Sequence, residues 1–165
     1  VLVLVGSLLV WGFIRPFWLT HTYGTELEHA VQRYFEVTNS VPGRINPEVI
    51  AQVATGQVLE DHIKFLCRNC PSVPVATKVH VETLWVFNYS ETHSKAAFRI
   101  ESGTQYLNPV TKEVNIICHA TAHTEVLLLK KEGEGWKVET GANEFLFSRN
   151  PIEDSPELHA QYCQQ

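Results

Sequence analysis

The first nineteen residues constrain this chain more than any others. Val1 to Leu19 reads VLVLVGSLLVWGFIRPFWL. From Val1 to Ile14 there is no charge, and only Gly6, Ser7 and Gly12 interrupt the large apolar side chains. A helix that crosses a bilayer needs roughly 20 mostly apolar residues at about 1.5 Å rise each. Val1 to Ile14 alone would span about 21 Å, and Val1 to Leu19 about 28 Å. Arg15 then falls near one end, where a long side chain reaches the headgroups. Trp11, Phe17 and Trp18 suit an interfacial aromatic belt. No small-residue cleavage site follows the run, as a signal peptide would require. A buried helix of this composition would need a large protein around it. The reading is a single-pass transmembrane helix over residues 1–19 and a membrane location. Gly6 and Ser7 allow other membrane helices to approach closely.

The remainder of the 165 residues is the size of one domain and long enough to bury a core. The formal net charge is -5, and no run of Lys or Arg exceeds the pair Lys130 and Lys131. That balance excludes a nucleic-acid partner, which would select a basic face.

Thr20 to Thr25 reads as a polar connector, with Thr25 and Glu28 as a capping box for the next helix. Leu27, Ala30, Val31, Tyr34, Phe35 and Thr38 recur at helical spacing, which predicts a helix over Glu26 to Thr38. Asn46-Pro47 is a second start signal. Pro47 to Asn69 reads as one broken helix or two short ones, interrupted at Gly56. From Val75 the period falls to two. Val79, Val81, Trp85 and Phe87 alternate with His80, Glu82 and Asn88 in a first strand. Ala96, Phe98 and Ile100 alternate in a second. Val114, Ile116, Cys118, Ala120, Ala122 and Val126 share one face of a long third strand, and Asn115, His119, Thr121, His123 and Glu125 the other. The apolar run Val126 to Leu129 breaks the alternation and predicts a bulge or bend there. Gly133-Glu134-Gly135 is a hairpin turn, and Trp136 to Phe147 a fourth strand, kinked at Gly141. Residues 148–165 read as a polar C-terminal tail. Helices followed by consecutive strands give an α+β domain over 26–147, with helices packed on a bent four-stranded antiparallel sheet.

Two segments carry a resemblance. Ala54-Thr55-Gly56-Gln57-Val58-Leu59 resembles the helix-breaking T-G-x-x-L pattern of the IMS-type domain in cyanobacterial and plastid membrane proteins. Gly135-Trp136-Lys137-Val138 resembles the last-strand G-x-W-x-V/I of the nuclear transport factor 2-like (SnoaL-like, cystatin-like) superfamily. The match covers roughly Glu26 to Phe147. It implies a cone-shaped fold whose members serve as small enzymes, ligand binders, dimerisation modules and scaffolds. Membrane-anchored members tend to be assembly or interaction subunits.

Candidate chemistry is sparse. His119, His123 and Glu125 on one strand, and His80 and Glu82 on another, are the residue types that bind a metal or exchange protons. Residues four apart on a strand are about 13 Å apart, too far for one ion on a straight strand. The favoured reading is a solvated outer sheet face, with no catalytic residue, no metal and no cofactor. The enzymes of the superfamily usually carry an Asp–His pair; no Asp lies on any predicted strand here. Cys67-Arg68-Asn69-Cys70 is a CxxC that closes a helix, the end at which the dipole does not activate a thiol. It leaves structural thiols or a local disulfide as its two main readings. Asn88-Tyr89-Ser90 fits the N-glycosylation pattern.

The expected function is therefore non-catalytic: a membrane-anchored accessory or scaffolding subunit. It would bind other membrane-protein subunits through a sheet face or edge, or form a homodimer. The alternative is a small-ligand-binding or enzymatic domain that uses the interior of the cone.

Overall fold

The computed structural model of the chain describes residue 12 and residues 14–40, 46–64, 66, 73–107, 114–141 and 155–163. Its element order is α1 (Arg15–Thr38), α2 (Pro47–Ile50), α3 (Gly56–Lys64), β1 (Val73–Tyr89), β2 (His93–Leu107), β3 (Val114–Glu132), β4 (Gly135–Gly141) and α4 (Pro156–Cys163). The four strands form one antiparallel sheet in the order β1-β2-β3-β4. This is the expected α+β architecture. A register shift between Leu128 and Leu129 falls within the apolar run, but the extra residue is Glu139 of β4, since Leu128 pairs with Thr140 and Leu129 with Val138. Further shifts interrupt the β1–β2 ladder at Pro74/Ala76, Thr83/Trp85 and Val86/Asn88. Each adds local twist and bend.

α1, α2 and α3 share one core with the sheet. Leu27 and Val31 of α1, Ile50 of α2, Val81 and Val86 of β1, Phe98 and Ile100 of β2, Leu129 of β3 and Val138 of β4 all belong to it, each almost fully buried. The broken second helix appears as two pieces. After Ile50 the chain turns, and Ala54 forms a parallel bridge with Val138. Thr55 N donates to Val138 O (2.8 Å) and Val138 N to Val53 O (3.0 Å). Gly56 then starts α3 at φ +53°, a conformation that L side chains rarely adopt. The break thus covers the outer edge of β4 at Val138.

The polar connector expected at residues 20–25 is helix. α1 runs unbroken from Arg15, and Ile14 before it already has helical angles (φ -67°, ψ -43°). Pro16 lies in the first turn, where a missing N–H removes no helical bond. The capping box is not formed, because a helix interior satisfies the N–H groups that a cap would take. Thr20, Gly24 and Glu28 instead face the free edge of β1. Val86 N donates to Thr20 Oγ1 (2.8 Å), Thr83 Oγ1 to Gly24 O (2.9 Å) and Thr83 N to a Glu28 carboxylate oxygen (2.9 Å). Gln32 Nε2 donates to Val79 O (2.7 Å). An open strand edge is a template for unwanted pairing; here the helix covers it from Val79 to Val86.

Both ends of the expected domain therefore move. Pro16 and Leu19 are buried in it, so the domain includes at least Arg15 to Leu19, which the sequence assigned to the membrane span. No described helix is long and apolar enough to cross a membrane. Residues 1–11 and 13 lie outside the described residues. At the other end, part of the expected polar tail is α4. Leu158 and Tyr162 are buried with Ala120 and Ala122 on the sheet face opposite the other helices.

Candidate functional site

The sheet sorts the predicted site residues onto two faces. Partners directly opposite in an antiparallel pair share a face. Ile100 pairs with His123 and Phe98 with Glu125. Both His123 and Glu125 thus lie on the helix-bearing face, not on the solvated outer face expected of them. The misreading arose because Ala120, Ala122 and Val126 looked like the core side of β3; they are buried, but on the opposite face. His80 pairs with Glu101 and Glu82 with Arg99 on that opposite face. His80 and His123 are therefore separated by the sheet and form no common site. His119 pairs through its backbone with Thr104, four residues from His123 along β3. No group of three or more potential metal ligands occurs among the described residues. Cys67 and Cys70 lie outside the described residues.

On the helix-bearing face two polar pairs lie near each other. His123 Nε2 is 3.8 Å from a Glu125 carboxylate oxygen. Tyr34 Oη and His62 Nε2, from α1 and α3, are 2.9 Å apart. Burial, and then the negative charge of Glu125, pushes the Tyr34 phenol above its usual range. The hydroxyl stays protonated at neutral pH and ties α1 to α3.

A cleft of about 430 Å³ opens between α1, the 52–53 turn and the β3–β4 hairpin. One stripe of α1 lines it with Glu26, His29, Ala30 and Arg33, which follow i, i+3, i+4, i+7 spacing. Trp136 and Val53 supply buried apolar surface. The inner charges are committed to the fold. Glu26 accepts from Trp136 Nε1 (2.8 Å) and Tyr89 Oη (3.1 Å), with Lys131 Nζ at 3.7 Å. Burial and the bond to Glu26 push the Tyr89 phenol up to about 12. Glu132 accepts from Thr55 Oγ1 (2.9 Å) and lies 3.2 Å from both Lys130 Nζ and Lys137 Nζ. The Thr55 bond first, then the two lysines, hold its carboxyl down at about 2. Lys137 also donates to Ala51 O (2.7 Å). Exposed His29, Arg33 and Glu134 at the rim form no ion pair with another described residue.

Trp136 was legible in sequence as the start of the fourth strand. The cleft was not, because its walls come from segments up to 110 residues apart that meet only in the folded domain, where both Trp136 and Lys131 reach Glu26.

A disulfide joins Cys118 of β3 to Cys163 of α4, with Cα atoms 5.6 Å apart. Their separation of 45 residues carries no local signal, unlike the CxxC spacing. On the same face Tyr162 Oη donates to Glu101 (2.9 Å), which also accepts from Arg99 Nε (2.8 Å).

No family profile and no curated protein matches the chain. Among solved structures, the crystal structure of the intermembrane space region of chloroplast protein ARC6 is similar. Its TM-score is 0.57 at 14% identity, over 78% of this chain and 95% of that one. At that identity the likeness is one of fold.

Proposed function

We propose that this chain is a non-catalytic, membrane-anchored accessory or scaffolding subunit. It binds a partner protein through the cleft between α1 and the β3–β4 hairpin. The observation that carries the reading is the division of charge in that cleft. Glu26, Glu132 and Lys137 are bonded to the fold, which makes the walls rigid. His29, Arg33 and Glu134 at the rim remain available to another molecule. Rim charges of this kind select partners and set the encounter rate, while a buried aromatic floor supplies contact area. The anchor is the uncharged run that precedes α1. The similar fold belongs to a region named for an intermembrane space, which supports a domain held beside a membrane.

The test is extraction of the native membrane in mild detergent, followed by sizing and mass spectrometry of what co-migrates. A stoichiometric complex that is lost in Arg33→Glu and Glu134→Arg, but kept in His123→Ala, is the expected result. Migration as a lone chain sinks the reading.

The pairs Tyr34–His62 and His123–Glu125 favour a second reading, a small-ligand site on the helix-bearing face. It requires that His62→Ala and His123→Ala abolish binding of a small molecule while the chain stays folded.

A further inference from the structure

We infer that the first turns of α1 are seated in the bilayer interface through Ile14, Phe17 and Trp18, so that the domain stands directly on the membrane in one orientation. This inference rests on the anchored reading above and names the surface by which that reading operates. Ile14, Phe17 and Trp18 are 59%, 68% and 56% exposed, the three most exposed large apolar side chains among the described residues. Their i, i+3, i+4 spacing puts them on one helix face. The buried residues of the same turns, Pro16 and Leu19, lie on the other side and pack into the domain. The apolar face thus points away from the core, touching the domain through the edge-on contact of Trp18 with Tyr23 (ring centroids 6.0 Å apart).

The polarity of that outward face changes within one turn. Through Trp18 it is apolar; His21, Thr22, Thr25 and His29 are exposed and polar after it. A helix that leaves a bilayer changes character along its outward face at that point. Trp and Phe are the side chains favoured at that depth. Because α1 is unbroken through residues 20–25, no flexible connector separates this interface from the domain.

The experiment uses the full chain in vesicles of phosphatidylcholine and phosphatidylglycerol. A photo-crosslinking benzophenone amino acid is placed singly at position 17, 18 or 29, all exposed, and lipid adducts are read by mass spectrometry. Adducts at 17 and 18 and none at 29 are expected. If the chain stays in the vesicle pellet after an alkaline carbonate wash but positions 17 and 18 give no adduct, the seating is wrong and the anchor stands. If the wash strips the chain from the vesicles, the anchored reading falls and takes this inference with it. A second measurement is independent of the crosslinker: quenching of tryptophan fluorescence by brominated lipid, compared between the native chain and Trp18→Phe. Loss of part of the quenching in the variant is expected, and equal quenching overturns the seating of Trp18.

Discussion

Gly103 of β2 lies directly against Tyr162 of α4. A Cβ built on that glycine would stand 2.5 Å from Tyr162 Cβ and 2.9 Å from the Tyr162 carbonyl oxygen. The backbones of helix and strand therefore meet at a place only glycine leaves open. With Ala120 and Ala122 beside it, Gly103 makes a flat seat for an eight-residue helix.

Gly103→Val should lift α4 from this seat while leaving the rest of the domain folded. Overpacking of this kind costs about 1–3 kcal/mol. Hydrogen exchange at residues 156–163 should accelerate, whereas that of the core strands around Phe98 and Leu129 should not. Unchanged protection of α4 would refute this account of the contact.

The Cys118–Cys163 bond should act on the same seat. Closing a loop of this size stabilises by about 2–4 kcal/mol. Cys118→Ser and Cys163→Ser should each lower the guanidinium midpoint by similar amounts. The double variant should fall no further than either single one, because both remove one bond. Additive losses would mean that the two sulfurs are not partners.

Glu132 sets an acid limit. Its carboxyl is held from the ordinary value of 4.5 down to about 2, first by Thr55 and then by the lysines. A depressed folded value means that its stabilisation is fully present above the unfolded value near 4.5. It is lost as pH falls through about 2. The melting temperature of the native chain should therefore fall between these values more steeply than that of Glu132→Gln. Parallel curves would show that the carboxylate contributes nothing to stability. Because Glu132 is a third exposed, added salt should shrink the difference.

Gly56→Ala should destabilise the join between α2 and α3. The residue sits at φ +53°, and a new Cβ would come within 3.0 Å of Glu139 Cγ. The left-handed backbone alone costs roughly 1–2 kcal/mol for a residue with a Cβ. Thermal unfolding is the check. A Gly133→Ala variant, at φ +65° in an open turn with nothing nearby, separates the backbone cost from the contact.

Much of this protein was fixed by local sequence. The period-two runs from Val79, Ala96 and Val114 give three long strands in order. Gly133 gives the hairpin turn and Gly56 the break between the short helices. Each signal lies within a few residues of what it specifies, so burial pattern and backbone conformation suffice to read it. Tertiary structure decided the rest. Thr25 and Glu28 look like a cap, yet α1 runs through them because Thr20, Gly24 and Glu28 find their partners on the edge of β1. His123 and Glu125 alternate as an outer face would, yet they face the helices, because both faces of β3 are covered and alternation does not say which one the helices take. Cys118 meets Cys163 only once α4 has settled on Gly103. In each case the deciding contacts join residues far apart in sequence, 45 positions for the disulfide and 55 for Glu28 with Thr83, and the free energy that selects them is absent until the sheet has formed.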